Sequence, residues 1–77
     1  MLHWYMLVSP NGKAVLAAGH EPDGNGKTVS VPMVGSSKDG LKRTFGRQAR
    51  ELLKTKKGYT IELWACTNYE VLETMKS

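Results

Sequence analysis

Seventy-seven residues, 40% hydrophobic and 23% charged, make one small domain, 1–77, that is too apolar to stay disordered yet buries only roughly 60% of its unfolded surface. The lone cysteine, Cys66, excludes an internal disulfide framework and fits a reducing compartment. No stretch approaches the roughly 18 apolar residues of a membrane span, and residues 1–8 are apolar for only a few positions and lack a basic leader, so the expected location is cytoplasmic.

The net charge of +4 is unevenly spread. Residues 38–57 hold eight of the eleven basic residues and two of the seven acidic ones, giving that segment +6 and the remainder −2. Concentrated positive charge attracts polyanions in a way that an even spread would not.

Along the chain, residues 2–8 put Leu2, Trp4, Met6 and Val8 on one face of an extended segment and His3, Tyr5 and Leu7 on the other. Both faces are largely apolar, as in a central strand. Ser9-Pro10-Asn11-Gly12-Lys13 is a turn composition, and residues 14–18 resume as an apolar run, which predicts a β-hairpin. Residues 19–27 contain three glycines and a proline and read as a flexible loop. Residues 28–34 alternate, with Val29, Val31 and Met33 on one face; Pro32 cannot donate to a ladder, so this third strand is expected at a sheet edge.

A helix is predicted over 37–57. Ser36 or Ser37 caps its start, Asp39 sits favourably in the first turn, and Gly58 is a natural stop after Lys56 and Lys57. Residues 59–66 then alternate as a strand with Ile61 and Leu63 inward. The tail is ambiguous: Thr67-x-x-Glu70 has the form of a helix capping box, whereas Tyr69 and Val71 alternate as in a return strand, the slightly favoured reading. The expected fold is α+β: a small antiparallel sheet of four strands, or five, with one long amphipathic helix across one face, in the order β-β-β-α-β.

At 100° per residue, Leu41, Phe45, Ala49, Leu52 and Leu53 share the arc that faces the sheet. Arg43, Arg47, Arg50, Lys54 and Lys57 share an opposed arc of about 80° and form a line roughly 21 Å long. Neighbouring like charges along it each cost about 0.2 to 0.5 kcal/mol. A plain solvated face explains part of this pattern, since the terminal lysines complement the helix dipole and Glu62, Glu70 or Glu73 could fold back onto the others. A surface for a polyanion or an acidic partner explains the rest, with Lys42 alongside the line. Arginine offers bidentate contacts to phosphate, but no zinc finger, RNA-recognition sheet motif, KH loop or helix-turn-helix accompanies the stripe. Sequence-independent backbone binding is therefore the expected mode.

Other chemistry finds little support. Gly24-Asn25-Gly26-Lys27-Thr28 resembles the end of a phosphate-binding P-loop, but position 21 is Glu where the motif needs Gly, and Lys27 leads into a strand. His3, His20 and Cys66, with Glu21 and Asp23, match no zinc spacing. A half-buried Cys66 and a solvated His20 in the loop are the plainer reading. No catalytic constellation can be assembled, so no enzyme, cofactor or metal is expected. Trp4, Phe45 and Tyr59 are expected in the core. Trp64, on a strand face with Thr60 and Glu62, is either a partly exposed interface anchor or stacking platform, or a buried second-layer residue.

Two functions remain from these observations. One is a small non-enzymatic module that engages nucleic acid or a nucleoprotein complex through the basic helix; the other is an inhibitor or adaptor, of the kind carried by phages and other mobile elements, that blocks an acidic surface of a larger protein. A homodimer through a strand edge would double the basic surface.

Overall fold

The computed structural model describes residues 1–65 and 70–76. The order of elements is β1 (His3–Val8), β2 (Ala14–Leu16), β3 (Ala18–Pro22), β4 (Thr28–Pro32), β5 (Val34–Gly35), α1 (Lys38–Lys54), β6 (Thr60–Ala65) and β7 (Glu70–Lys76). All pairings are antiparallel, in the order β2-β1-β6-β7, with β5 paired to β1 and with β3-β4 forming a separate two-stranded ribbon. The fold is thus α+β, with antiparallel sheets and one helix packed against them. Of the tail, residues 70–76 are the strand β7, and Tyr69 lies outside the described residues. The capping-box residue Thr67, and Cys66, lie outside the described residues.

β1 is central because both its faces are apolar. The hairpin to β2 turns at Gly12 (φ 89°), and the Ser9 hydroxyl hydrogen-bonds to the Asn11 side chain within the turn. On its other side β1 pairs with all of β6, from His3 opposite Ala65 to Val8 opposite Thr60.

The predicted loop 19–27 and the predicted single strand 28–34 are both corrected. Residues 18–22 are strand, and only 23–27 form the turn, where the Asp23 carboxylate accepts the Asn25 and Lys27 amides at 2.7 and 3.2 Å and Gly24 and Gly26 take φ near 88° and 83°. The strand breaks at Met33, as its partner does at Ala17, and the ribbon β3-β4 leaves the sheet between β2 and β5. A ring of three backbone hydrogen bonds closes the gap: Ala17 N–H to Tyr5 C=O at 2.9 Å, Met33 N–H to Ala17 C=O at 2.9 Å, and Tyr5 N–H to Met33 C=O at 3.1 Å. All three residues are buried, so an unclosed junction would leave costly unpaired groups. Glycine and proline in 19–27 signalled the tight turn, but they did not exclude the short strand that leads into it.

Ser37 is the N-cap, its hydroxyl accepting the Gly40 amide at 2.9 Å. The helix ends three residues earlier than predicted: the Thr55 amide and hydroxyl both donate to the Leu52 carbonyl, at 3.1 and 2.8 Å, and Gly58 (φ 82°) completes the turn beyond. Threonine competes well for backbone carbonyls, which makes it a poor helix interior and a serviceable end.

The core lies between α1 and the sheet. Leu41, Phe45, Ala49 and Leu53 of the helix meet Tyr5, Ile61 and Leu63 of the sheet and Ala17 and Met33 of the junction, with Leu52, Tyr59 and Leu7 partly buried around them. Trp4 is corrected from a core residue: it lies on the opposite face of the sheet, half-buried, beside Trp64. Gly35 brings β5 against the helix, since a Cβ there would sit 3.0 Å from the Leu41 backbone. Among the described residues, no helix is long and apolar enough to cross a membrane.

Candidate polyanion-binding face

The apolar stripe of α1 packs against the sheet and the Ala17–Met33 junction, with Leu52 half-buried at its margin, which turns the basic stripe outward. Lys42, Arg43, Arg47, Arg50 and Lys54 are all exposed on α1, whereas Lys57 is exposed in the turn beyond it. Leu41, Phe45, Ala49 and Leu53 are buried beneath them, as the helical spacing requires.

The structure divides these cations by whether an acid already compensates them. Lys42 is compensated: β7 places Glu73 on the helix side of the sheet, where its carboxylate meets Lys42 Nζ and Lys38 Nζ, each at 3.1 Å. These hydrogen bonds, to Lys42 first and Lys38 second, hold the Glu73 carboxyl below its ordinary range. Lys54 pairs with Glu51 one turn back at 3.2 Å, with both side chains largely exposed, a pair of little energetic weight. Arg43, Arg47, Arg50 and Lys57 have no acidic partner within 4 Å among the described residues.

The line also spreads over two flanks of the helix. Arg47 borders a depression of about 420 Å³ between α1 and the ribbon, floored by Ala18, Met33 and Leu52. On the other flank, Arg50, Lys54, Lys57 and Lys76 rim an open groove of about 920 Å³ whose floor is Leu53 and Met75. Lys76 and Met75 enter this site only through the return strand β7. In the sequence they sit 19 and 18 positions from Lys57, and only the register of Thr60 opposite Lys76 and Ile61 opposite Met75 brings them near.

A smaller cavity of about 200 Å³ lies under the helix, between Tyr5, Gly46, Arg50 and Glu73. Burial pushes the Tyr5 hydroxyl to a higher pKa; the negative Glu73 adds to this and Arg50 opposes it. Tyr5 accordingly keeps its hydroxyl proton at physiological pH.

Trp64 is half-buried, and its indole N–H donates to the Glu62 carboxylate at 3.0 Å. Its ring lies 6.4 Å from that of Trp4, tilted by 35°. His20 is exposed on β3 rather than in a loop, and His3 is buried, its Nδ1 without a hydrogen-bond partner among the described residues. Among the described residues no three His, Cys, Asp or Glu side chains converge. Residues 24–27 lie in the turn of the ribbon and Thr28 opens β4, without the helix that a phosphate-binding loop requires.

No protein-family model, curated protein or solved structure matches the chain.

Proposed function

We propose that this protein is a small non-enzymatic binding module whose basic helix face engages an anionic polymer, with the nucleic-acid backbone as its ligand. The observation that carries this reading is the distribution of acids. Glu73 and Glu51 compensate Lys38, Lys42 and Lys54, while Arg43, Arg47, Arg50 and Lys57 are left without partners among the described residues. Like-charge neighbours on one helix face cost stability in a small domain, and an external anion offsets that cost. Guanidinium groups suit phosphate because they form paired hydrogen bonds. With four phosphate contacts, log affinity should fall against log salt with a slope of about −3.6 on duplex DNA.

A second reading has its own support in the groove beside β7. Leu53 and Met75 form an apolar floor inside a basic rim, a combination suited to an acidic protein surface with an apolar anchor rather than to a phosphate chain. In that case the chain is an inhibitor or adaptor. Affinity capture from lysate, with and without nuclease, separates the two: nucleic-acid binding predicts that recovered partners vanish with nuclease, whereas one stoichiometric protein that persists supports docking on protein. If binding proves insensitive to salt, the nucleic-acid reading is wrong.

A further inference from the structure

We infer that the sheet face turned away from α1 is the contact surface for a second copy of this chain, giving a back-to-back dimer with the two basic helices on its outer sides. The helix covers only one face of the sheet. Trp4, Met6 and Val8 of β1, Leu16 of β2, Val34 of β5 and Trp64 of β6 share the other face, as the pairs Trp4–Trp64, Trp4–Val34 and Met6–Leu16 require. Val71, opposite Trp64, extends it onto β7. Leu16 is 46% exposed and Val71 42%, so the face is open to solvent at both margins. A sheet that is apolar on both faces needs a layer on each.

Charge selects the occupant. By register Glu62 is the ionisable residue that the described strands place within this face, while Lys76, at the end of β7, reaches the helix-side groove beside Lys57, so a copy presented to its own kind meets one carboxylate rather than a charged patch. The helix face, with its uncompensated arginines, would repel a second copy. A nucleic-acid strand is a poor occupant of the sheet face, because the Glu62 carboxylate sits against the Trp64 indole, where a stacked base would bring its phosphate.

Size is also sufficient, though only just. Four strands about 4.8 Å apart and six residues at about 3.3 Å give a footprint of roughly 400 Å² in projection. With side-chain relief and rim contacts, two copies bury on the order of 1,000 Å² in total, at the threshold for a specific interface. The dimer is therefore weak. The free edge of β7 is the poorer alternative, since a register shift at Leu63/Trp64 and the inward-facing Glu73 are devices that discourage edge pairing.

Sedimentation of the purified 77-residue chain over a concentration series, free of nucleic acid, tests this. The mass should rise from one chain to two, and Met6→Glu should remain at one chain with an unchanged circular-dichroism spectrum. Leu16→Glu, at an exposed position where folding is not at stake, should weaken the association at least tenfold. A wild-type chain that stays at one mass up to about 1 mM, where even a very weak dimer with a Kd of that order would show, overturns the inference. So does a dimer that Leu16→Glu and Met6→Glu leave intact.

Discussion

Gln48 holds the backbone of His20 on both of its polar sides, its Oε1 accepting the His20 N–H at 2.9 Å while its Nε2 donates to the His20 carbonyl at 3.2 Å. A side-chain amide here does what a neighbouring strand would do, and it fastens the ribbon β3-β4 to α1. Gln48→Ala should cost about 1 to 2 kcal/mol, the sum expected of two such bonds, in urea denaturation. Exchange of the His20 amide should accelerate as well; if stability and exchange are both unchanged, the amide is not what holds the ribbon.

Beside that clamp, Gly19 lies so close to the helix that an added Cβ would come within 2.6 Å of Phe45 Cε1 and 3.2 Å of Gln48 Oε1. Gly19→Ala should therefore destabilise by about 1 to 3 kcal/mol, as overpacking of a filled core does. Thermal unfolding of the variant reads this directly, and a neutral result would mean that the ribbon can shift away freely.

Gly46 predicts the opposite sign. It lies in the middle of α1, and an added Cβ would meet its nearest neighbours, Lys42 Cβ and Tyr5 Oη, at an ordinary 3.9 Å. Gly46→Ala should stabilise by up to about 1 kcal/mol through helix propensity alone. A lower midpoint in denaturant would show that the space beneath the helix is needed.

The Glu73 carboxyl is held below its ordinary value by Lys42 and Lys38, so folding favours its charged form. Its contribution is present above the ordinary carboxyl pKa and is lost as pH falls through the lowered one. Glu73→Gln should accordingly be less stable than the wild type near neutral pH, with the difference shrinking in acid and in high salt. Stability curves of the two proteins against pH test it, and a gap that persists unchanged in acid contradicts it.

Local chemistry carried much of the fold into the sequence. Ser37, the 3.6-residue spacing from Leu41 to Leu53, and the alternation of Ile61 and Leu63 each define an element from its own residues. What escaped depends on distant partners. The breaks at Ala17 and Met33 exist because both strands must share the single edge of β1, and nothing in either segment announces that. Trp4 alternates with Met6 and Val8 as plainly as Tyr5 does with Leu7; which set enters the core is decided by the side that receives the only described helix. For the site, the outward stripe was legible from spacing. Glu73 was among the acids expected to fold back onto the cations, but its choice of Lys42 and Lys38, and the arrival of Lys76 and Met75 beside Lys57, follow from the register of β7 and were not legible.

Arg43, Arg47, Arg50 and Lys57 are the cations of the basic line that no described acid compensates, and the most direct measurement of what they bind is the salt dependence of duplex binding by the wild type and by Arg47→Glu with Arg50→Glu. The wild-type slope should be about −3.6, and the double variant, losing two of four phosphate contacts, should show a slope nearer −1.8 with much weaker binding and an intact fold. A slope near zero, or a double variant that binds as the wild type does, would contradict nucleic-acid binding by these cations.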